Sequence, residues 1–127
     1  MTTLSTTGVL PGESLVSYKL IRAHLIAAMV FLVISMIAGF EYSLQFLGYF
    51  PTPGSATHSP GHMRLVHTNM AAYGWLVNGF TGMMYYVVPR LTGKKVLSDK
   101  LGALIFWAWQ LICVLTIFGL MTGKAQA

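Results

Sequence analysis

Charge is scarce in this sequence, and acidic charge is the scarcest. Of the 127 residues, 9% are charged and only three are Asp or Glu, whereas 55% are hydrophobic. Soluble globular domains carry about 25% charged residues, so this composition excludes an ordinary soluble fold. It indicates an all-α integral membrane protein.

Cysteine is almost absent as well. The single cysteine, Cys113, lies inside an apolar run. This excludes an internal disulfide, an iron–sulfur cluster held by a set of thiolates, and a Cys-x-x-Cys-His attachment site for covalent heme. The stretch before Lys19 has no basic residue and no small-residue cleavage site, so we expect no removable signal peptide.

Three apolar stretches are long enough to cross a bilayer, whose hydrocarbon core of about 30 Å needs roughly 20 apolar residues in a helix. The sequence predicts spans over about 20–46, 63–88 and 101–122, between an N-terminal tail, 1–18, and a C-terminal tail, 123–127. A Pro- and Gly-rich segment, 51–55, separates the first two spans. The second span is predicted to stop at Pro89-Arg90, and Ser98 or Asp99 is placed to cap the third.

Basic residues are grouped by these spans. Two precede the first span and four lie between the second and third, which leaves two for the opposite side: Lys19 and Arg22; Arg90, Lys94, Lys95 and Lys100; Arg64 and Lys124. The positive-inside bias therefore predicts a cytoplasmic N-terminus. Because topology explains the net charge of +5, we expect contact with membrane lipid and no nucleic-acid partner.

One histidine lies where charge is otherwise excluded. No charged residue follows His67 until after Val88, and an ionisable group inside a membrane span indicates a functional site. On an ideal helix, His67 shares a small, polar face with Ala71, Gly74 and Asn78. Such a face admits either another helix or a flat porphyrin whose iron the imidazole binds. Arg64, one turn outward, is placed to pair with heme propionates. A hydrogen bond from His67 to a neighbouring helix is the alternative, and spacing leaves both open.

The remaining polar residues carry weaker signals. His58 and His62, with His67, have spacing compatible with an outer copper or zinc site, or are exposed loop histidines. His24 and Arg22 are expected to snorkel at the inner end of the first span, with a quinone contact as the alternative. Glu41 is open to pairing with Arg64, to a partner subunit or to a plain interfacial position. The tryptophans and methionines are expected to face lipid and fill the packing: Trp75, Trp107, Trp109 and eight Met.

Two motifs flank the second span. The run 61–69, Gly-His-Met-Arg-Leu-Val-His-Thr-Asn, resembles the Gly-Arg-Leu-Arg-Pro-Leu-His-Thr-Asn run of the C-type (cbb) cytochrome c oxidases. These belong to the heme-copper oxidase superfamily, which also contains the bacterial nitric oxide reductases. The run 85–90, Tyr-Tyr-Val-Val-Pro-Arg, is similar to the Tyr-Tyr-Val-Val-Gln-Arg that ends the same helix in the family. The chain thus resembles the first three spans of the catalytic subunit I.

The resemblance implies roles for two residues. His67 is similar to the axial ligand of the low-spin heme b, and Arg64 to the arginine near its propionates. His62 and Val66 depart from the oxidase pattern. Pro89 resembles the nitric oxide reductases, although the acidic residues that follow it there are replaced by Arg90 and Leu91.

The resemblance also implies what must lie elsewhere. The family's second heme b ligand, its copper-binding histidines and its high-spin heme ligand lie in later helices, so copper and the high-spin heme are expected only in a partner chain. The predicted protein is the heme-b-binding portion of a split, bacterial inner-membrane subunit I. It would pass electrons from cytochrome c to an oxygen-reducing heme-copper centre, with the remainder of subunit I and c-type cytochrome subunits as partners. The alternatives are part of a nitric oxide reductase, or a heme-free accessory or assembly subunit.

Overall fold

The computed structural model describes residues 15–124, which form helices joined by turns, with no strand among them. Four α-helices lie in this part of the chain: α1 (Tyr18–Phe46), α2 (Pro60–Asn69), α3 (Val77–Thr92) and α4 (Asp99–Met121). A π-helical segment, Met70–Leu76, joins α2 directly to α3, and a 3-10 turn, Ala56–His58, precedes α2. The all-α prediction is therefore confirmed. The predicted tails fall mainly on residues 1–14 and 125–127, outside the described residues.

Among the described helices, α1 and α4 are long and apolar enough to cross a membrane. The middle rod, α2–π–α3, is continuous but consists of pieces of 10, 7 and 16 residues. Much of the surface of α1 and α4 is apolar and exposed, as at Met36, Phe40, Trp107 and Phe118. These two helices support a membrane protein, whereas the third span stays a prediction.

Most helix boundaries follow local chemistry. Ser59 caps α2 by accepting a hydrogen bond from His62 N, and Pro60 occupies the first turn, where its missing N–H is harmless. The Ser98 hydroxyl accepts from Leu101 N at 3.3 Å, so the predicted cap of the last helix is confirmed.

The predicted stop at Pro89-Arg90 is wrong. The helix runs through Pro89 to Thr92 and ends at Gly93, whose φ of 64° is the left-handed conformation that favours glycine. Pro89 removes only one backbone hydrogen bond, close to the end of the helix, and its ring is buried. Gly93, and not Pro89, therefore ends α3.

The π segment keeps one face of the middle rod against α1. Buried residues recur at every fourth position: Val66, Met70, Gly74, Asn78 and Gly82. In an α-helix each step of four overshoots a full turn by about 40°, so this row would drift around the rod. A π turn accommodates an additional residue and offsets that drift. Trp109 of α4 adds a cross-link by donating from Nε1 to the Tyr73 carbonyl at 3.2 Å.

Small residues on this face serve helix packing. A Cβ added to Gly74 would lie 2.6 Å from Phe31 of α1, and one added to Gly82 would lie 3.2 Å from His24. A Cβ added to Gly102, at the start of α4, would lie 2.6 Å from Leu20 of α1. The small face is predicted to contact either another helix or a flat porphyrin, and at Gly74 and Gly82 it contacts another helix, α1.

The packing also groups the basic residues by end. Leu20 contacts Gly102, and the His24 ring stacks on Tyr85, so the start of α1, the end of α3 and the start of α4 lie together. At the other end, Gly123 approaches the His62 ring. The predicted grouping of six bases against two therefore holds in three dimensions. Which end faces the cytoplasm stays a prediction.

Candidate functional site

The His67 ring is held by α1. Its Nδ1 lies 2.8 Å from the Ser35 carbonyl oxygen, which only accepts hydrogen bonds, so Nδ1 carries the proton. The buried Ser35 hydroxyl donates back to the His67 carbonyl at 2.9 Å. The first link sets the tautomer and the orientation of the imidazole, and the second ties α1 to the backbone of α2 beside it.

The second ring nitrogen is free. With the proton on Nδ1, Nε2 presents a lone pair, and no described residue hydrogen-bonds to it. Two side-chain polar atoms in the described residues are buried without a partner, His24 Nε2 and Gln45 Oε1. His67 Nε2 is not one of them, so this unpartnered atom is not enclosed by the protein. The lone pair of the half-buried His67 therefore reaches the surface of the bundle. A neutral imidazole whose other nitrogen donates to a backbone carbonyl is the arrangement that metal-binding histidines adopt.

A glycine in α1 makes room for the ring. A Cβ at Gly39 would lie 2.5 Å from His67 Nδ1 and 2.8 Å from Cε1, closer than atoms approach without displacement. No role for Ser35 or Gly39 was predicted from the sequence. Their only signal is a polar and a small residue one turn apart inside an apolar helix, a pattern typical of close helix contacts.

Arg64 lies one turn before His67 and is exposed. It forms no ion pair with a carboxylate in residues 15–124. Glu41 instead binds His58, with Nδ1 at 3.0 and 3.1 Å from its two oxygens. Of the alternatives left open for Glu41, pairing with Arg64 does not occur, and the guanidinium is available to an anion at this end of the bundle.

The histidines that precede His67, His58 and His62, bind different partners. His62 Nδ1 lies 2.9 Å from the Ala56 carbonyl, while His58 is engaged by Glu41. No group of three or more His, Cys, Asp or Glu in the described part of the chain is placed to hold a metal ion. The spacing of His58, His62 and His67 therefore does not translate into a common ligand set.

His24 does not snorkel, and the prediction for it is wrong. It is 2% exposed, and its Nδ1 lies 3.0 Å from Asn78 Oδ1. Asn78 is fully buried and also accepts from Gln110 Nε2 at 2.9 Å, so one polar network joins α1, α3 and α4. The ring packs between Tyr85 and Phe106, at centroid distances of 5.5 and 4.9 Å. A histidine side chain is short and can be enclosed at a position where a longer lysine side chain would reach water. The signal that could have predicted this burial is the pair of polar residues, Asn78 and Gln110, in otherwise apolar runs.

Comparison with known proteins gives the family. Residues 19–127 match the family model "Cytochrome C and Quinol oxidase polypeptide I". The cbb3-type cytochrome c oxidase subunit CcoN1 of Stutzerimonas stutzeri is 29% identical over 107 residues, 84% of this chain and 23% of the relative. A nitric oxide reductase subunit of the same organism is 41% identical over 56 residues, 44% of this chain and 12% of the relative.

Cytochrome c oxidase subunit 1 of Rhodobacter capsulatus is 26% identical, over 84% of this chain and 20% of the relative. No solved structure matches the chain. The chain thus spans less than a quarter of the length of these curated relatives. Because the family model covers almost the whole sequence, the resemblance carried by the two motifs is confirmed: the chain belongs to the cytochrome c and quinol oxidase polypeptide I family, the subunit I of heme-copper oxidases.

Proposed function

We propose that this chain provides one side of a low-spin heme b site, with His67 as an axial ligand of the iron. The observation that carries the proposal is the state of the ring: Nδ1 is bound to the Ser35 carbonyl at 2.8 Å and Nε2 is open. This donor chemistry fits a heme, whose iron takes a neutral imidazole nitrogen and supplies one-electron transfer when bound. The chain's part is to hold the ring still and to keep its proton on Nδ1.

Arg64 is proposed to bind the propionates. Its guanidinium is exposed one helical turn from His67 and has no described carboxylate partner. Arginine binds carboxylates through two parallel hydrogen bonds, and this pairing would fix the edge of the macrocycle. By the family resemblance, the second heme ligand, the copper site and the high-spin heme would be held by other helices of subunit I.

The membrane setting is part of the same proposal. We infer three spans, with α2–π–α3 as the second, in a bacterial inner membrane with the six-base end in the cytoplasm. The apolar surfaces of α1 and α4 would then contact lipid and the remainder of subunit I. Electrons would come from c-type cytochrome subunits, and oxygen would be reduced in the partner portion.

Nitric oxide reduction is the second candidate. The observation that favours it is the 41% identity to a nitric oxide reductase subunit over 56 residues, together with Pro89 in the second motif. Consumption of oxygen and of nitric oxide by the same purified complex separates the two candidates.

The complex itself tests the heme assignment. It is purified with and without this chain, and the heme content and the reduced-minus-oxidised spectrum are measured on each. The proposal expects one low-spin heme b fewer in the complex that lacks the chain. An assembled complex with unchanged heme content would establish the heme-free accessory role instead.

Replacing Gly39 by Ala tests how the ring is held. The new methyl group would lie 2.5 Å from His67 Nδ1, so the imidazole must move away from the Ser35 carbonyl. Loss of such an orienting partner lowers metal affinity about 10- to 100-fold, and we expect heme b retention to fall within that range. Retention is measured by absorbance after repeated detergent washes.

Gly79→Ala is the matched control. A Cβ at Gly79 would meet nothing nearer than Ala28 Cβ at 4.0 Å. This variant should keep the wild-type spectrum, and equal losses in both variants would contradict the role given to Gly39.

A further inference from the structure

The cavity at the basic end of the bundle combines apolar and cationic lining. It has a volume of 370 Å³ and is bounded by α3 and by the turn that follows it. Met84, Val88 and Pro89 supply apolar surface, while Lys94 and Lys95 belong to the same lining. No residue of the His67 site lines it, and it meets the surroundings of His24 at Tyr85, whose ring stacks on that histidine.

The charges around this cavity are one-sided. Lys94 and Lys95 are exposed and form no ion pair within residues 15–124. Arg90, Lys100 and the two bases of α1 lie at the same end, against the single described acid there, Asp99. Arg90 stacks over the Tyr86 ring at 4.2 Å and keeps its charge. An anion at this end therefore meets a net positive field from the described residues.

The shape of the cavity selects among anions. The α3 residues of the lining run from Thr81 to Thr92, which is about 16 Å along a helix at 1.5 Å per residue. A small soluble anion would use only the lysines and leave this apolar length empty. A molecule with an anionic head and a hydrocarbon tail uses both parts.

We propose that this cavity binds one anionic phospholipid, with the phosphate between Lys94 and Lys95 and an acyl chain along Met84 and Val88. Basic pockets at the ends of membrane helices recognise lipid headgroups in this way. The inference rests on the membrane placement in the proposed function and is independent of heme ligation.

Lipid retention by the purified complex tests the proposal. The complex is reconstituted in nanodiscs of equal phosphatidylglycerol and phosphatidylcholine, extracted in detergent, and analysed by native mass spectrometry. We expect one phosphatidylglycerol to be retained by the wild type. Lys94→Gln with Lys95→Gln should lower its retention about tenfold or more, because each base near an anionic lipid surface contributes roughly a fivefold factor.

The matched control removes two charges from the same end outside the lining. Lys19→Gln with Lys100→Gln should retain the lipid. Val88→Trp fills the apolar part, keeps both lysines, and should also lose it. Equal retention of the two phospholipids by the wild type would overturn the proposal, and so would equal losses in the two double variants. Cross-linking of a helix from another part of the complex to the cavity residues would also overturn it, because the cavity would then be occupied by protein.

Heme absorbance, recorded on every sample, separates this inference from the proposed function. A normal heme spectrum without lipid selectivity would reject the lipid site alone. Retained lipid without heme b would reject the ligand role of His67 alone.

Discussion

His67→Ala is expected to remove the low-spin heme b from the assembled complex. The variant lacks the Nε2 lone pair that the Ser35 carbonyl orients through Nδ1. No other described histidine lies at the same place: His62 is more than one helical turn earlier on α2, and His58 binds Glu41 in the turn before the helix. His24 is buried beside Asn78. Low-spin heme b absorbance should fall to near zero, and electron transfer from the cytochrome c donor should stop with it. The reduced-minus-oxidised spectrum and the heme content measure this result.

Two further samples make the experiment specific. His62→Ala removes an imidazole from the same helix, five residues earlier, and should leave the spectrum unchanged. Added imidazole should restore absorbance to His67→Ala, because it can occupy the space left by the side chain. A wild-type spectrum in His67→Ala would eliminate the ligand assignment. Loss of heme in both alanine variants would mean that α2 itself has been disturbed.

Asn78→Leu is expected to cause the largest loss of stability. The substitution keeps a similar volume but leaves His24 Nδ1 and Gln110 Nε2 without the acceptor that now lies at 3.0 and 2.9 Å. Each unpaired buried polar group costs about 1–3 kcal/mol, although hydrogen bonds between membrane helices average nearer about 0.6 kcal/mol. The substitution also removes the bond that Asn78 Nδ2 donates to Gln110 Oε1 at 3.3 Å. With these three bonds between helices broken, we expect the free energy of unfolding to fall by about 2 kcal/mol, measured by denaturation of the purified complex in detergent.

Asn69→Leu is the control for that measurement. The Asn69 amide donates to Leu65 O, in its own helix, at 2.9 Å, so its removal breaks no link between helices. Its effect on the free energy of unfolding should be well below that of Asn78→Leu. Equal effects would show that the His24–Asn78–Gln110 network does not stabilise the packing.

The elements themselves were predictable, because they depend on local composition. Long apolar runs and Ser98 at a helix start are signals that need no tertiary contact, and α1 and α4 begin and end within two residues of the prediction. The failures all depend on a neighbouring helix or a competing terminator. Pro89 predicts a stop, but Gly93 ends the helix. The π segment has no sequence signature, because it depends on the packing of every fourth residue of the middle rod against α1.

The candidate site divides in the same way. His67 and Arg64 could be predicted as candidates from a charge-free run and a motif within one short stretch of the chain. Ser35 and Gly39 could not, because they lie on α1 and their importance comes from where α1 crosses His67. The prediction for His24 failed for the same reason: a histidine near a helix end looks interfacial until Asn78 and Gln110 are brought beside it.

The groups that orient the His67 ring, Ser35 and Gly39, belong to the same polypeptide as the ring itself. The imidazole is therefore oriented by the packing of α1 against α2, within this one chain. Ordering a side chain at the moment of association weakens binding, so in the proposed heme site a ring that is already oriented would let a complementary chain join at a lower entropic penalty.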